Sequence, residues 1–184
     1  MFIWMKKMKP EKLSDVDVII PAFNEAKNIA GVLQELQVFF EAQNIIVVDD
    51  GSTDGTTEIA KKLGATVVRF EQNVGKGHAI INGIKASKND VVILVDADAQ
   101  HSVKDAMLLV KETKKGFDAV FASRFLENPK MPLIRLYGNN LIRFILSLRF
   151  KGISDPLCGL KAFKKAQMPP FSEKDFCIDI EIIY

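Results

Sequence analysis

The chain has 184 residues, 48% hydrophobic and 26% charged, which suits one compact domain with a foldable core and gives no sign of long disorder. A formal net charge of +2 argues against a dedicated nucleic-acid surface, and two cysteines, Cys158 and Cys177, are too few for a disulfide scaffold or a paired-cysteine metal knuckle. No window of eighteen apolar residues spans a membrane, and the opening MFIWMKKMKP lacks the apolar stretch and cleavage site of a secretion signal.

Residues 1–14 read as an N-terminal extension and 15–184 as the domain. VDVIIPAFNE predicts a first strand over Val16 to Ile20, broken by Pro21, with Asn24 placed to cap the next helix. From Ala26 to about Glu41, Ile29, Val32, Leu33, Leu36, Phe39 and Phe40 recur at helical spacing. NIIVVDDGSTDG predicts a second strand, Ile45 to Val48, ending in Asp49, Asp50 and Gly51. Ser52, Thr53 and Asp54 then offer turn and cap oxygens to a helix over Thr57 to Leu63.

Gly64 closes that helix, ATVVRF reads as a third strand, and NVGKGHAIINGIKAS begins glycine-rich before turning helical. VVILVDADAQ is the fourth strand, Val103 to Lys114 a helix, and FDAVFASRF the fifth strand. Strands alternating with helices imply right-handed crossovers and a mostly parallel sheet. Beyond Arg124 comes a polar, proline-containing loop, then an amphipathic helix over Leu133 to Phe150. GISDPLCGLKAFKK follows as turn then strand, punctuated by Asp155-Pro156 and Gly159. The last residues, FCIDIEIIY, stop inside an apolar run, so the expectation is a polypeptide truncated at its C-terminus.

In an open parallel sheet, ligands bind outside the carboxyl ends of the strands. Four strands end here in PAFNE, VDDGSTD, DADAQ and SRF, so their polar residues are expected to converge. Neither the dinucleotide fingerprint GxGxxG nor the phosphate-loop motif is present. Lys76, between two glycines, can still reach a phosphate, with backbone N–H groups exposed around it. Asp96 and Asp98, on one side of a period-two strand, suit Mg²⁺ or Mn²⁺ shared with substrate phosphates, and Gln100 can add a carbonyl oxygen. From that pair alone, an exposed strand end with capping aspartates is equally admissible. Asp49 or Asp50 can accept from a base or ribose, and Glu25 serves either nucleotide contact or the first turn of a helix. Arg124 and Arg135 suit phosphate oxygens.

The ordered set VIIPAFNEAKNI, VVDDGSTDGT, NVGKGHAIINGIKAS, VVILVDADAQH, ASRF, MPLIRLYGNNLI and ISDPLCGLKAFKK resembles the inverting family 2 glycosyltransferases of GT-A fold, and within them the dolichyl- or polyprenyl-phosphate sugar synthases. The resemblance implies an α/β fold with a mostly parallel central sheet flanked by helices. It implies nucleotide contacts from Pro21, Ala22, Asn24, Glu25 and Asp50, with Lys76 near the glycine turn. It further implies Asp96, Asp98 and Gln100 on Mg²⁺ or Mn²⁺ with the donor diphosphate, and Arg124 and Arg135 on donor or acceptor phosphate. Asp155 matches an acid that some members use as a base toward a hydroxyl acceptor; Asp179 and Glu181 match late acids that reach the site. Ala99 and Ser102-Val103 depart from a bulkier residue and prolines in many members.

The partners expected are a nucleotide-diphospho-sugar of the GDP-mannose or UDP-glucose type and a polyprenyl or dolichyl phosphate. Peripheral contact on the cytoplasmic side of a membrane fits that acceptor. The apolar face of 133–150 would then meet lipid, or else pack on the core or a second copy of the chain. The rival readings are a family 2 transferase that extends a glycan hydroxyl through Asp155 or a nearby acid, and a catalytically silent sugar-nucleotide-binding module.

Overall fold

The computed structural model describes residues 12–99, 102–123 and 158–167. Four helices and six strands alternate through most of it: β1 (Val16–Ala22), α1 (Ile29–Leu36), β2 (Ile45–Asp49), α2 (Thr56–Lys62), β3 (Thr66–Arg69), α3 (Lys76–Ala86), β4 (Val91–Leu94), α4 (Val103–Lys114), β5 (Ala119–Phe121) and β6 (Lys161–Lys164). The strands form one sheet in the order β3-β2-β1-β4-β6-β5. β1 pairs in parallel with β2 and β4, and β2 with β3, whereas β6 lies antiparallel to both β4 and β5. β5 therefore runs with β4, and the tips of β1, β2, β4 and β5 share one edge, as the alternation of elements predicts.

The apolar residues of the central strands are buried on both sides, which is why they read as nearly continuous apolar runs. On one face Val16, Val18 and Ile20 pack with Leu33 and Leu36 of α1, Ala60 of α2 and Ala106 and Leu109 of α4. On the other, Ile19, Val48, Val92, Leu94 and Phe163 pack with Ala79 and Ile80 of α3. Gly83 lets α3 approach closely, because a methyl group there would overlap Ile19 and lie 3.1 Å from Val48.

Three local expectations are corrected. Pro21 does not end β1: the strand continues to Ala22, with Pro21 opposite Val48 of β2. Ile19 bonds toward the β4 side through its carbonyl, which accepts the Val95 N–H, so Pro21 two residues on turns its nitrogen the same way. β4 has ended at Leu94, and no ladder bond is lost. Asn24 caps no helix; α1 starts after Asn28 and ends at Leu36 because Asp54 takes the Ala26 N–H and Leu13 bonds with Phe39 and Glu41. Asp96 and Asp98 do not share a face of a strand, since Ala97 and Asp98 form a turn and Ala99 has φ of 59°. The helix over 133–150 lies outside the described residues.

Candidate functional site

The site edge is built from two loops pinned together and a third pinned to them. The Asn24 N–H donates to Ser52 Oγ (2.9 Å), while Asn24 Oδ1 accepts the Thr53 N–H (3.0 Å). Glu25 N–H donates to Thr56 Oγ1 and Ala26 N–H to Asp54 Oδ2, each at 2.9 Å. These bonds join the β1–α1 loop to the β2–α2 loop, using the turn oxygens expected at Ser52 and Asp54, while Thr53 gives its N–H and Thr56 its hydroxyl oxygen. The Glu25 carboxylate accepts from Asn28 Nδ2 (2.8 Å), the residue that precedes α1. Asn24 takes a left-handed backbone with φ of 56°.

Donation from the Thr56 hydroxyl first, then from the Ala26 N–H, holds the exposed Asp54 carboxyl below the ordinary aspartate pKa. A depressed carboxyl supports the folded form above the ordinary aspartate range and loses that support as pH falls through its lowered value. An NMR titration of the Asp54 carboxyl should therefore give a midpoint below that of an unfolded-state aspartate. A midpoint at or above it would contradict the loop seam described here.

Asp49 and Asp50 are both buried but point to different work. Asp49 accepts from Ser52 N–H (2.8 Å) and the Thr57 hydroxyl, with Arg69 3.8 Å away. It braces the loop into α2. The two oxygens of Asp50 accept from Val74 N–H and Gly75 N–H, each at 2.8 Å. The N–H groups expected to stand exposed around Lys76 are thus partly committed to Asp50, which shapes the glycine turn opening α3. Gly75 supplies the left-handed φ of 104° that this turn needs.

Lys76 follows directly, and its ammonium lies 2.6 Å from Asp96 Oδ1. One run of contacts therefore leads from Asp50 at the tip of β2, through the glycine turn, to Asp96 beyond the tip of β4. The convergence expected from sequence is realised for Asp50, Lys76 and Asp96, with Pro21 and Ala22 beside them on β1. Both Lys76 and Asp96 are partly exposed, so the pair is worth about 1 kcal/mol or less and is readily exchanged. Asp98 is exposed on the turn just beyond. Gln100, Arg124, Arg135 and Asp155 lie outside the described residues, as do His101, Arg143, Arg149, Cys177, Asp179 and Glu181.

Asp96 already holds a cation in the form of the Lys76 ammonium, and a second carboxylate lies two residues away. These hard oxygen donors fit an Mg²⁺ or Mn²⁺ ion whose remaining ligands come from elsewhere. No group of three or more His, Cys, Asp or Glu that could hold a metal occurs among the described residues.

Two residues in and just before β6 escape sequence reasoning. Lys161, on β6 opposite Leu94, is fully buried, with Nζ 5.8 Å from the Phe121 ring centroid. Its place in an ordinary-looking KAFKK gives no signal of burial. Gly159, read as turn punctuation, lies against the Asp96 carboxylate.

The glycosyl transferase family 2 model matches residues 17–166. The chain belongs to glycosyltransferase family 2. An uncharacterised protein of Methanocaldococcus jannaschii is 40% identical to the transferase chain over 81% of it and 64% of the relative. The UDP-N-acetylglucosamine--dolichyl-phosphate N-acetylglucosaminyltransferase of Methanococcus voltae is 32% identical over 85% of the chain and 72% of its own length. Among solved structures, glucosyl-3-phosphoglycerate synthase from Mycobacterium tuberculosis, in complex with Mn²⁺, UDP-glucose and glycerol 3-phosphate, superposes with a TM-score of 0.63 at 26% identity. That match covers 82% of the transferase chain and 57% of the synthase. The sheet order and these likenesses make the fold GT-A, as the sequence resemblance implies.

Proposed function

We propose that this domain moves a hexose from a nucleotide-diphospho-sugar to the phosphate of a polyprenyl or dolichyl lipid, with inversion at the anomeric carbon. The supporting observation is the run of contacts from Asp50 through the glycine turn and Lys76 to Asp96 at the ligand edge of the sheet. The Methanococcus voltae relative is named for a dolichyl-phosphate acceptor, which supports the same acceptor class here.

Asp96 and Asp98, with Gln100, would hold Mg²⁺ or Mn²⁺, which when bound offsets the negative charge that grows on the departing diphosphate. Pro21, Ala22, Asn24, Glu25 and Asp50 border the nucleotide. Lys76 exchanges Asp96 for a diphosphate oxygen, a move of the exposed ammonium that breaks only a weak ion pair. Arg124 and Arg135 orient the acceptor phosphate for in-line approach. A phosphate monoester is already anionic near neutral pH, so its oxygen attacks without a protein base, and positioning carries the rate. Asp155 is then dispensable for deprotonation; with a hydroxyl acceptor it would be required.

The test uses the full chain with a panel of UDP- and GDP-sugars, with and without Mn²⁺, and either polyprenyl phosphate or glycan acceptors. Metal-dependent nucleoside diphosphate release accompanied by lipid-linked sugar is expected. Release only with a hydroxyl acceptor would move the domain to the glycan reading. Donor binding without release to any acceptor would make it a silent binding module.

A further inference from the structure

Gly159 has a conformation open to any residue, because it is absent from the glycines with left-handed backbone. Space, not backbone freedom, selects glycine here. In the antiparallel register Leu94 stands opposite Lys161, and Phe121 stands opposite Lys161 on the other side of β6. The Ala122 N–H donates to the Leu160 carbonyl at 3.1 Å, so pairing of β5 with β6 continues past the last strand residues. Two steps along this register bring Asp96 opposite Gly159. Residues directly opposite in an antiparallel pair project to the same face. A Cβ on Gly159 would overlap the carboxyl carbon and Oδ2 of Asp96 and come within 2.7 Å of Oδ1.

We propose that Gly159 is a positioning residue: the side chain it lacks leaves the space in which the Asp96 carboxylate lies, and so aims that carboxylate at Lys76 and at the cation site. Its link to a divalent cation rests on the function proposed above. Since the overlapping atoms are the end of a flexible side chain, a methyl group at 159 turns Asp96 away rather than breaking the sheet. The sugar-transfer site is thus tuned from β6, a strand that comes more than sixty residues after the acid it positions.

A four-protein cycle tests this: parent, Gly159→Ala, Asp96→Ala and the double variant, each assayed for thermal unfolding. Parent and Gly159→Ala are also titrated with Mn²⁺ in the presence of inorganic pyrophosphate. Gly159→Ala is expected to weaken Mn²⁺–pyrophosphate binding by about 10–100-fold and to lower the melting temperature by only about 2–4 °C, since a flexible side chain turns aside. In the Asp96→Ala background the overlap is gone, so adding Gly159→Ala should leave the melting temperature unchanged or raise it. Should Gly159→Ala fail to fold, the double variant must still fold and melt as Asp96→Ala does. Binding within about two-fold of the parent overturns the proposal, and so does a double variant that loses as much melting temperature as the single one. A parent that does not bind Mn²⁺–pyrophosphate would sink the cation reading, while the thermal cycle would still decide whether Gly159 positions Asp96.

Discussion

Asp96→Asn is expected to lower sugar transfer by about two to three orders of magnitude while the domain stays folded. The loss follows from weakening the hold on the divalent ion that would offset the negative charge on the departing diphosphate. The ion pair to Lys76 joins two partly exposed side chains, so its loss costs about 1 kcal/mol or less. Asparagine keeps the volume and one oxygen, so it also keeps the fit over Gly159. The assay is transfer rate against Mn²⁺ concentration, with circular dichroism to confirm folding. Asp105→Asn serves as the control, since this exposed acid in the first turn of α4 lies outside the site. Normal turnover by Asp96→Asn with unaltered metal dependence would end the assignment of Asp96 to the cation.

Gly51→Ala carries the largest expected loss of stability, about 2–4 kcal/mol. Gly51 has φ of 79°, which costs an L-residue about 1–2 kcal/mol. Its new Cβ would sit 2.6 Å from the Gln72 carbonyl carbon and 2.8 Å from the Asn73 nitrogen. These are backbone atoms with no rotamer to change, so the strand-tip loop or the glycine turn must shift, adding about 1–3 kcal/mol. Asp50, next in the chain, would then lose its alignment with Val74 and Gly75, and nucleotide affinity should fall along with stability. Urea unfolding and nucleoside diphosphate titration measure the two effects. Gly31→Ala, in the exposed part of α1 with nothing within 4 Å, should by contrast stabilise by about 1 kcal/mol. A Gly51→Ala protein as stable as its parent would refute the close approach of the two loops.

The alternation of apolar runs and helical periods made the sheet legible, because central strands buried on two faces have no other use for so many branched residues. α4 follows its apolar spacing to the residue, and the structure adds a cap in which Ser102 accepts the Lys104 N–H. What the sequence hid depends on pairing between distant segments. Pro21 reads as a break until β4 is seen to end beside it, and Asn24 as a cap until Ser52 and Thr53 claim it. The DADAQ acids, expected on one face of a strand, lie instead beyond its end, with Asp98 on a turn, since alternation says nothing about where a strand stops. Lys161 and Gly159 became informative only once β6 was seated between β4 and β5.

That seat has an evolutionary corollary. β5 delivers the chain to the ligand edge at Ser123, and β6 resumes from the same edge at Cys158. Selection on the pairing of β5 with β6 therefore acts on the ligand edge as well, where Gly159 meets Asp96.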